Sequence, residues 1–471
     1  MTTVQAERAT PPSGGPEQPP VPAWQRTLTA PVRLLADINA ALRAAPRRPM
    51  LTAAAIALVS LLGYATVRHF VGTSMVDMIV YRAEGAAVAH GQDLYAIRVT
   101  EWDLPATYPP FAAMLFVPTT WVGVPFLRVA VTVGNLLLLT TLAHLSFKLV
   151  DWPRRELRPI GVLLITGLGV WLEPVFTTLR YGQINLALAC LILWDLTRPD
   201  HARSKGLAIG LAAGIKLTPG LFAVYLLITG RVRAALTAGA AFLGTFLIGA
   251  LVLPDATRGF WTEYLFDSTR VGKTVIVDNQ SISGMVARLL HTENPGLPAT
   301  ALAALVAVGG LAVAAWAHRS AGWSPRADAW SVCAALVTAV LISPISWTHH
   351  WVWCVPMLVL LAAEAAHERS RPAAVRRFRW RLVFGLTLLG FLSFAMWIVP
   401  HKGDLDLWLP LPSQLPASVY PLLGLCFLAV AALRVASRRR AAGTTPARLP
   451  APRTEPDGLG STGAQKAPAA R

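Results

Sequence analysis

Charge is scarce in this chain. Only 14% of its 471 residues are Asp, Glu, Lys or Arg, well under the share a soluble domain carries. Cysteine is scarce too: Cys190, Cys333, Cys354 and Cys426 each lie in or beside an apolar stretch, without metal-ligand spacing, which excludes a disulfide framework. No His-x-x-x-His pair and no cluster of several carboxylates occurs, so no metal site is expected. Residues 1–50 show no cleavable signal peptide, and 51–70 is expected to be an uncleaved first span. Acidic residues are outnumbered 25 to 42, for a net charge of +17. The basic residues sit in short groups flanking apolar runs, such as Arg47 and Arg48, Arg154 and Arg155, Arg231 and Arg233, and Arg438 to Arg440. They lack interleaved aromatics, so they mark cytoplasmic helix ends and exclude nucleic acid as a partner.

Apolar residues make up 54% of the chain. They recur in runs at 51–70, 125–147, 159–175, 186–194, 234–253, 299–317, 329–345, 351–363, 382–399 and 419–435. Several reach the roughly 18–20 residues that cross a bilayer as a helix, so the bundle itself must be the protein. The fold class is all-α, a polytopic transmembrane bundle in the cell membrane, with membrane lipids as its surroundings. Counting crossings with the basic groups inside gives roughly 12 spans, both termini being cytoplasmic. Residues 1–29 and 438–471 are rich in Pro, Gly and Ala and read as disordered cytoplasmic tails around a membrane domain at 30–437. Within it, 30–45 has the apolar spacing of an interfacial helix. Segments 71–107 and 254–298 become outer loops. Residues 109–121 are apolar, but a full crossing there would put Arg154 and Arg155 outside, so a short dipping segment is expected. Residues 206–215 and 220–228 form a hairpin hinged at 216–219.

Chemistry is expected at the outer face. Asp77, in Val76-Asp77-Met78-Ile79-Val80-Tyr81-Arg82, lies among apolar neighbours just past the first span. A partly desolvated carboxylate there can accept a proton as a general base, or it can pair with Arg82 or cap a helix. Tyr95 and Tyr108 offer aromatic walls, or interfacial packing. Gln183 and Asn185 open an apolar helix, where an unsatisfied amide is costly; Asn185 can equally be a cap. Lys216 lies in an apolar hairpin on the side away from the other cations, and either binds an anion or snorkels to the interface. Asn279 and Gln280 precede Arg288 in the second outer loop. His349 and His350 are adjacent, so they diverge on a helix and suit hydroxyl or phosphate contact better than a shared metal.

Taken in order, these motifs resemble the polyprenyl-phosphate-mannose-dependent mannosyltransferases of glycosyltransferase family 87. The resembling residues are Asp77-x-x-Val80-Tyr81, Gly91 with Leu94-Tyr95, Tyr108-Pro109-Pro110, Gly182-Gln183-Ile184-Asn185, Gly214 with Lys216 and Pro219, Asn279-Gln280-Ser281 with Gly284, and Trp347 with His349-His350. The pattern covers about residues 50–435. The resemblance implies a GT-C bundle with its active site facing the outer leaflet. It implies a polyprenyl-phosphate-mannose donor and a glycolipid acceptor: phosphatidylinositol mannoside, lipomannan or lipoarabinomannan. Transfer would invert the donor to an alpha linkage, alpha-1,2 in particular. Asp77 would be the base. Lys216, His349 or His350, and Arg288 would receive the departing phosphate charge, and Tyr81, Arg82, Tyr95, Tyr108, Gln183, Asn185, Asn279 and Gln280 would bind substrate. No cofactor or metal is then required.

Two other readings keep their place. The same fold could use another lipid-phosphate sugar, such as arabinose. A transporter would instead need ionisable groups at helix midpoints and an internal repeat, neither of which is visible here.

Overall fold

The computed structural model describes residues 36, 39–40, 42–72, 74–322, 324, 326–368 and 379–443. The expected tail at 1–29 and most of the expected interfacial helix lie outside them, as does the second tail beyond Gly443. The helix Val419–Gly443 runs past the expected boundary at 437 before that point. Among the described residues there is no strand; backbone pairing across the chain is limited to isolated bridges, Val99 with Leu104 and Asn279 with Trp347.

Among the described residues, seven helices are long and apolar enough to cross a membrane: Arg47–Val71, Val124–Val150, Val232–Val252, Gly296–Arg319, Thr348–Glu368, Trp380–Trp397 and Val419–Arg439. Large apolar side chains such as Leu58, Val59, Leu137, Leu236, Leu251 and Val308 stand exposed on them, as a lipid-facing surface requires. The pair Arg155–Trp171 and Glu173–Tyr181 is long and apolar enough only when taken together and is bent by 74°, as in a broken span or a re-entrant loop. The bend falls where Leu172 is extended and Pro174 opens the next helix, since proline cannot continue the preceding hydrogen-bond ladder. Among the described residues, the helices of full spanning length are fewer than the roughly 12 crossings expected. The apolar stretches Asn185–Leu196, Thr218–Ile228 and Ala327–Ile342 are too short to span alone. Residues 109–121 fold as the short helix Pro110–Phe116 and a 3-10 turn, too short for a full crossing.

Three local devices position the functional residues. First, the helix Val76–Ala89 starts from Met75, which is left-handed (φ 44°), buried, and tied to the Arg180 carbonyl at 3.1 Å. Asp77 thereby falls in the first turn, where the helix dipole favours a carboxylate. Second, Gly182 ends the helix Glu173–Tyr181 in the left-handed region (φ 71°), with its N–H on the Thr178 carbonyl. That closure lets the chain reverse and present Gln183 and Asn185. Third, the helix Leu207–Ile215 is pinned at both ends. The Asp195 carboxylate accepts from the N–H groups of Gly206, Ala208 and Ile209 at 2.8–3.3 Å. Gly206, Gly210 and Gly214 lie against the helix Val232–Val252 so closely that a Cβ on Gly214 would sit 2.1 Å from Thr245 Oγ1. Small residues spaced by four permit such approach. Lys216 follows directly, in extended conformation.

Candidate active site

A cavity of about 280 Å³ is lined by Asp77, Tyr81, Tyr108, Gln183, Lys216 and His350, together with Phe260, Tyr264, Arg270 and Trp347. Six residues expected from distant parts of the sequence therefore meet here. A larger cavity, about 560 Å³, lies beside Thr140, His144, Lys148, Arg155 and Arg158 and holds none of them.

Asp77 is partly exposed and lines the cavity. Burial pushes its carboxyl up to about 7, opposed by a hydrogen bond from Gln183 and the charge of Lys216, while Asp278 adds to the rise. A base that titrates near neutrality matches what proton abstraction from a hydroxyl needs. Lys216 faces the same space. Burial pulls its ammonium down to about 8, opposed by Asp77. Nζ donates to His350 Nε2 at 2.8 Å and to Asn185 Oδ1 at 3.4 Å, and lies 5.5 Å from the centre of the Tyr108 ring. An ammonium has three protons, so one remains for a ligand. Because Lys216 can only donate, His350 accepts through Nε2 and carries its own proton on Nδ1. Asn185 is itself fixed, donating to the His349 carbonyl at 3.1 Å.

Tyr81 donates to Gln183 Oε1 at 2.7 Å, and its hydroxyl lies 2.9 Å from that of Tyr108. The Tyr81 ring stacks on Phe116 at 4.5 Å. Tyr81 is four residues after Asp77, one turn on, and so shares its helix face.

Several residues expected to contact ligands do not line this cavity and pack or bond within the protein. Arg82 turns away, donating to the carbonyls of Thr120 at 3.4 Å and Val122 at 3.1 Å. Tyr95 is buried and donates to the Tyr108 carbonyl at 2.8 Å. Asn279 is buried, its amide nitrogen bonded to Thr274 and Pro344 carbonyls and its oxygen to the Ser346 N–H. Gln280 is buried likewise, reaching the carbonyls of Val277 and Ala417 and the N–H of Tyr420. Together they stitch the segment before Ile282 to the turn bearing the histidines. Arg288 is sealed from the cavity, its guanidinium spent on Ile276 O (2.8 Å), Asn279 O (3.0 Å) and Ser418 Oγ (3.0 Å). The His349 ring is buried edge-on against Tyr181 and His350, with both ring nitrogens lacking a hydrogen-bond partner.

Other residues at the site were not singled out from sequence. Arg270 lines the cavity mouth, donating to the Tyr95 carbonyl at 2.9 Å over the Tyr264 ring. Asp278 accepts the Thr348 N–H at 3.0 Å. Glu84 is wholly buried, Oε1 taking the Thr107 N–H at 3.4 Å, and burial pushes it up to about 8. Among the described residues, no three His, Cys, Asp or Glu side chains converge as metal ligands.

Residues 106–344 match the family model described as glycosyltransferase family 87. That span contains Gln183 and Lys216 but neither Asp77 nor His350. The chain is similar to two proteins of Mycobacterium tuberculosis. One, described as a polyprenol-phosphate-mannose-dependent alpha-(1-2)-phosphatidylinositol pentamannoside mannosyltransferase, is 35% identical over 69% of this chain and 74% of its own. The other, described as a polyprenol-phosphate-mannose-dependent alpha-(1-2)-phosphatidylinositol mannoside mannosyltransferase, is 30% identical over 80% of this chain and 89% of its own. A protein of Mycolicibacterium smegmatis with the same description as the second is 33% identical over 63% and 71%. No solved structure matches the chain.

Proposed function

Because the chain belongs to glycosyltransferase family 87, and is a membrane glycosyltransferase, we propose that it moves mannose from polyprenyl-phosphate-mannose to a phosphatidylinositol mannoside, making an alpha-1,2 bond. The observation that carries the chemistry is the placement of Asp77 and Lys216 on one cavity. Asp77 takes the proton of the acceptor hydroxyl as its oxygen attacks the anomeric carbon. The bond from that carbon to the phosphate oxygen breaks, and polyprenyl phosphate leaves with the electron pair. The free N–H of Lys216 meets the charge growing on that oxygen, in a partly closed site where such contacts count for more than in water. One displacement inverts the anomeric centre, so a beta-linked donor gives an alpha-linked product. With an ammonium in that role the scheme requires no metal.

The reaction is proposed for the extracytoplasmic side. In support, the cavity follows the C-terminal end of the helix Arg47–Val71, while Arg47 and Arg48 stand at its other end. A cysteine replacing the exposed Trp102 should then react with an impermeant thiol reagent in intact cells; protection there would move the site inside. In purified protein, labelled mannose should reach phosphatidylinositol mannoside, also in the presence of a chelator. Asp77→Asn should lower turnover by roughly 10²–10⁴-fold while the protein still folds. Turnover retained in that variant would remove Asp77 as the base.

A further inference from the structure

We propose that Tyr108, Tyr81 and Gln183 form a hydrogen-bonded relay that holds the Asp77 carboxylate in its reacting orientation, making Gln183 and Tyr81 positioning residues and not sugar contacts. The proposal rests on Asp77 being the base.

The geometry runs in one direction. Gln183 is anchored by its own N–H, which donates to the Thr178 carbonyl at 3.0 Å. Its side-chain oxygen is occupied by the Tyr81 hydroxyl at 2.7 Å. With the oxygen taken, only the amide nitrogen is left to face Asp77, which lines the same cavity and whose anion Gln183 favours. Without Tyr81 the amide could rotate and aim a lone pair at the anion. Having given its proton to Gln183, the Tyr81 hydroxyl can only accept from Tyr108, 2.9 Å away. Tyr108 is steadied in turn by Tyr95, whose hydroxyl donates to its carbonyl at 2.8 Å. Tyr81, Tyr108 and Gln183 are all buried, so each unmade bond would be costly. Their other sides are committed: the Tyr81 ring packs on Phe116, and the Tyr108 ring meets Lys216.

The charged and titratable groups around Asp77 come from several segments, and His350 and Arg270 line its cavity too. Lys216 stabilises its anion, and Asp278 opposes it. Glu84, two turns on in the same helix, is pushed up to about 8 by burial, so it is mostly uncharged at pH 7 and adds little repulsion. Tyr81, Tyr108 and Tyr181 also face it and stay neutral at that pH. Within this set Gln183 supplies the largest influence favouring ionisation.

The test is the pH dependence of kcat and KM in the purified full chain, with polyprenyl-phosphate-mannose and phosphatidylinositol mannoside as substrates. Gln183→Leu and Tyr81→Phe should move the acid limb up by roughly one unit, since a bond to a charged group is lost. Near pH 7 they should lower kcat by about tenfold, with KM within about twofold. Tyr108→Phe should shift the limb the same way by less, because it removes only the outer link, and it serves if Tyr81→Phe does not fold. Raised KM with an unmoved acid limb would make these residues substrate contacts and overturn the relay, leaving Asp77 in place. Wild-type-like turnover in Asp77→Asn would instead overturn the base assignment beneath it.

Discussion

Replacing Lys216 with Gln tests the assignment of the phosphate charge most directly. On the proposed scheme, two groups bound the active range of the wild type. Asp77 must be unprotonated to accept the hydroxyl proton, which holds above about 7, and Lys216 must be charged to meet the phosphate, which holds below about 8. The profile of kcat/KM against pH should therefore be a narrow bell, centred between these values. Glutamine keeps a neutral donor near His350 Nε2 and Asn185 Oδ1, so the local bonds survive while the charge goes. Losing a charge-assisted bond to phosphate costs about 1.5–3 kcal/mol, or about 10- to 150-fold in kcat/KM. Its alkaline limb should vanish, and its acid limb should move up, because the Lys216 charge no longer favours the Asp77 anion. Lys216→Arg should recover part of the rate with no alkaline limb, a guanidinium not titrating in this range. The assay is single-turnover transfer of labelled mannose between pH 5.5 and 9.5. An alkaline limb near 8 persisting in Lys216→Gln would refute the reasoning, since another group would then be titrating.

Two other substitutions separate architecture from chemistry. Gly182→Ala forces a side chain into the left-handed region and sets its Cβ 2.8 Å from Met78 Cβ and 2.9 Å from Met75 Sδ. Backbone strain and overpacking together should cost about 2–4 kcal/mol, read as a lower unfolding midpoint in detergent, with turnover falling further because Gln183 and Asp77 both move. Arg288→Met strips the partners from buried carbonyls and from Ser418. It should lower stability by about 3 kcal/mol or more, while KM for the donor in the surviving protein stays near wild type; a raised donor KM with normal stability would return Arg288 to phosphate binding.

Much of the site was legible because its chemistry demands unusual residues in an apolar setting. Asp77 among apolar neighbours, Lys216 inside an apolar hairpin, and Gln183 opening an apolar helix all stood out, and all reach one cavity. What was not legible is how buried polar groups are satisfied. Asn279, Gln280 and Arg288 look like ligand contacts by residue type, but main-chain carbonyls satisfy them, and a sequence does not print where those carbonyls go. Arg82 was avoidable. Five residues past Asp77 is about 140° around a helix, whereas Tyr81, four past, shares the face. The paired histidines could not be ranked, because which of two neighbours turns inward depends on the Lys216 side chain 134 positions earlier. The expected crossings outnumber the helices of full spanning length because Gly182, Gly206 and Pro219 cut apolar runs into pieces shorter than a bilayer.

The pairing of Asn279 with Trp347 bears on how substrates come and go. Through it the segment carrying Arg270 and the turn carrying His350 share one backbone seam, drawn tighter by Gln280 N–H on Ser346 O at 2.7 Å. If the cavity mouth widens to admit a bulky headgroup, the pull reaches His350 and, through it, Lys216. A substitution that parts this seam should therefore weaken the contact of Lys216 with His350 as well.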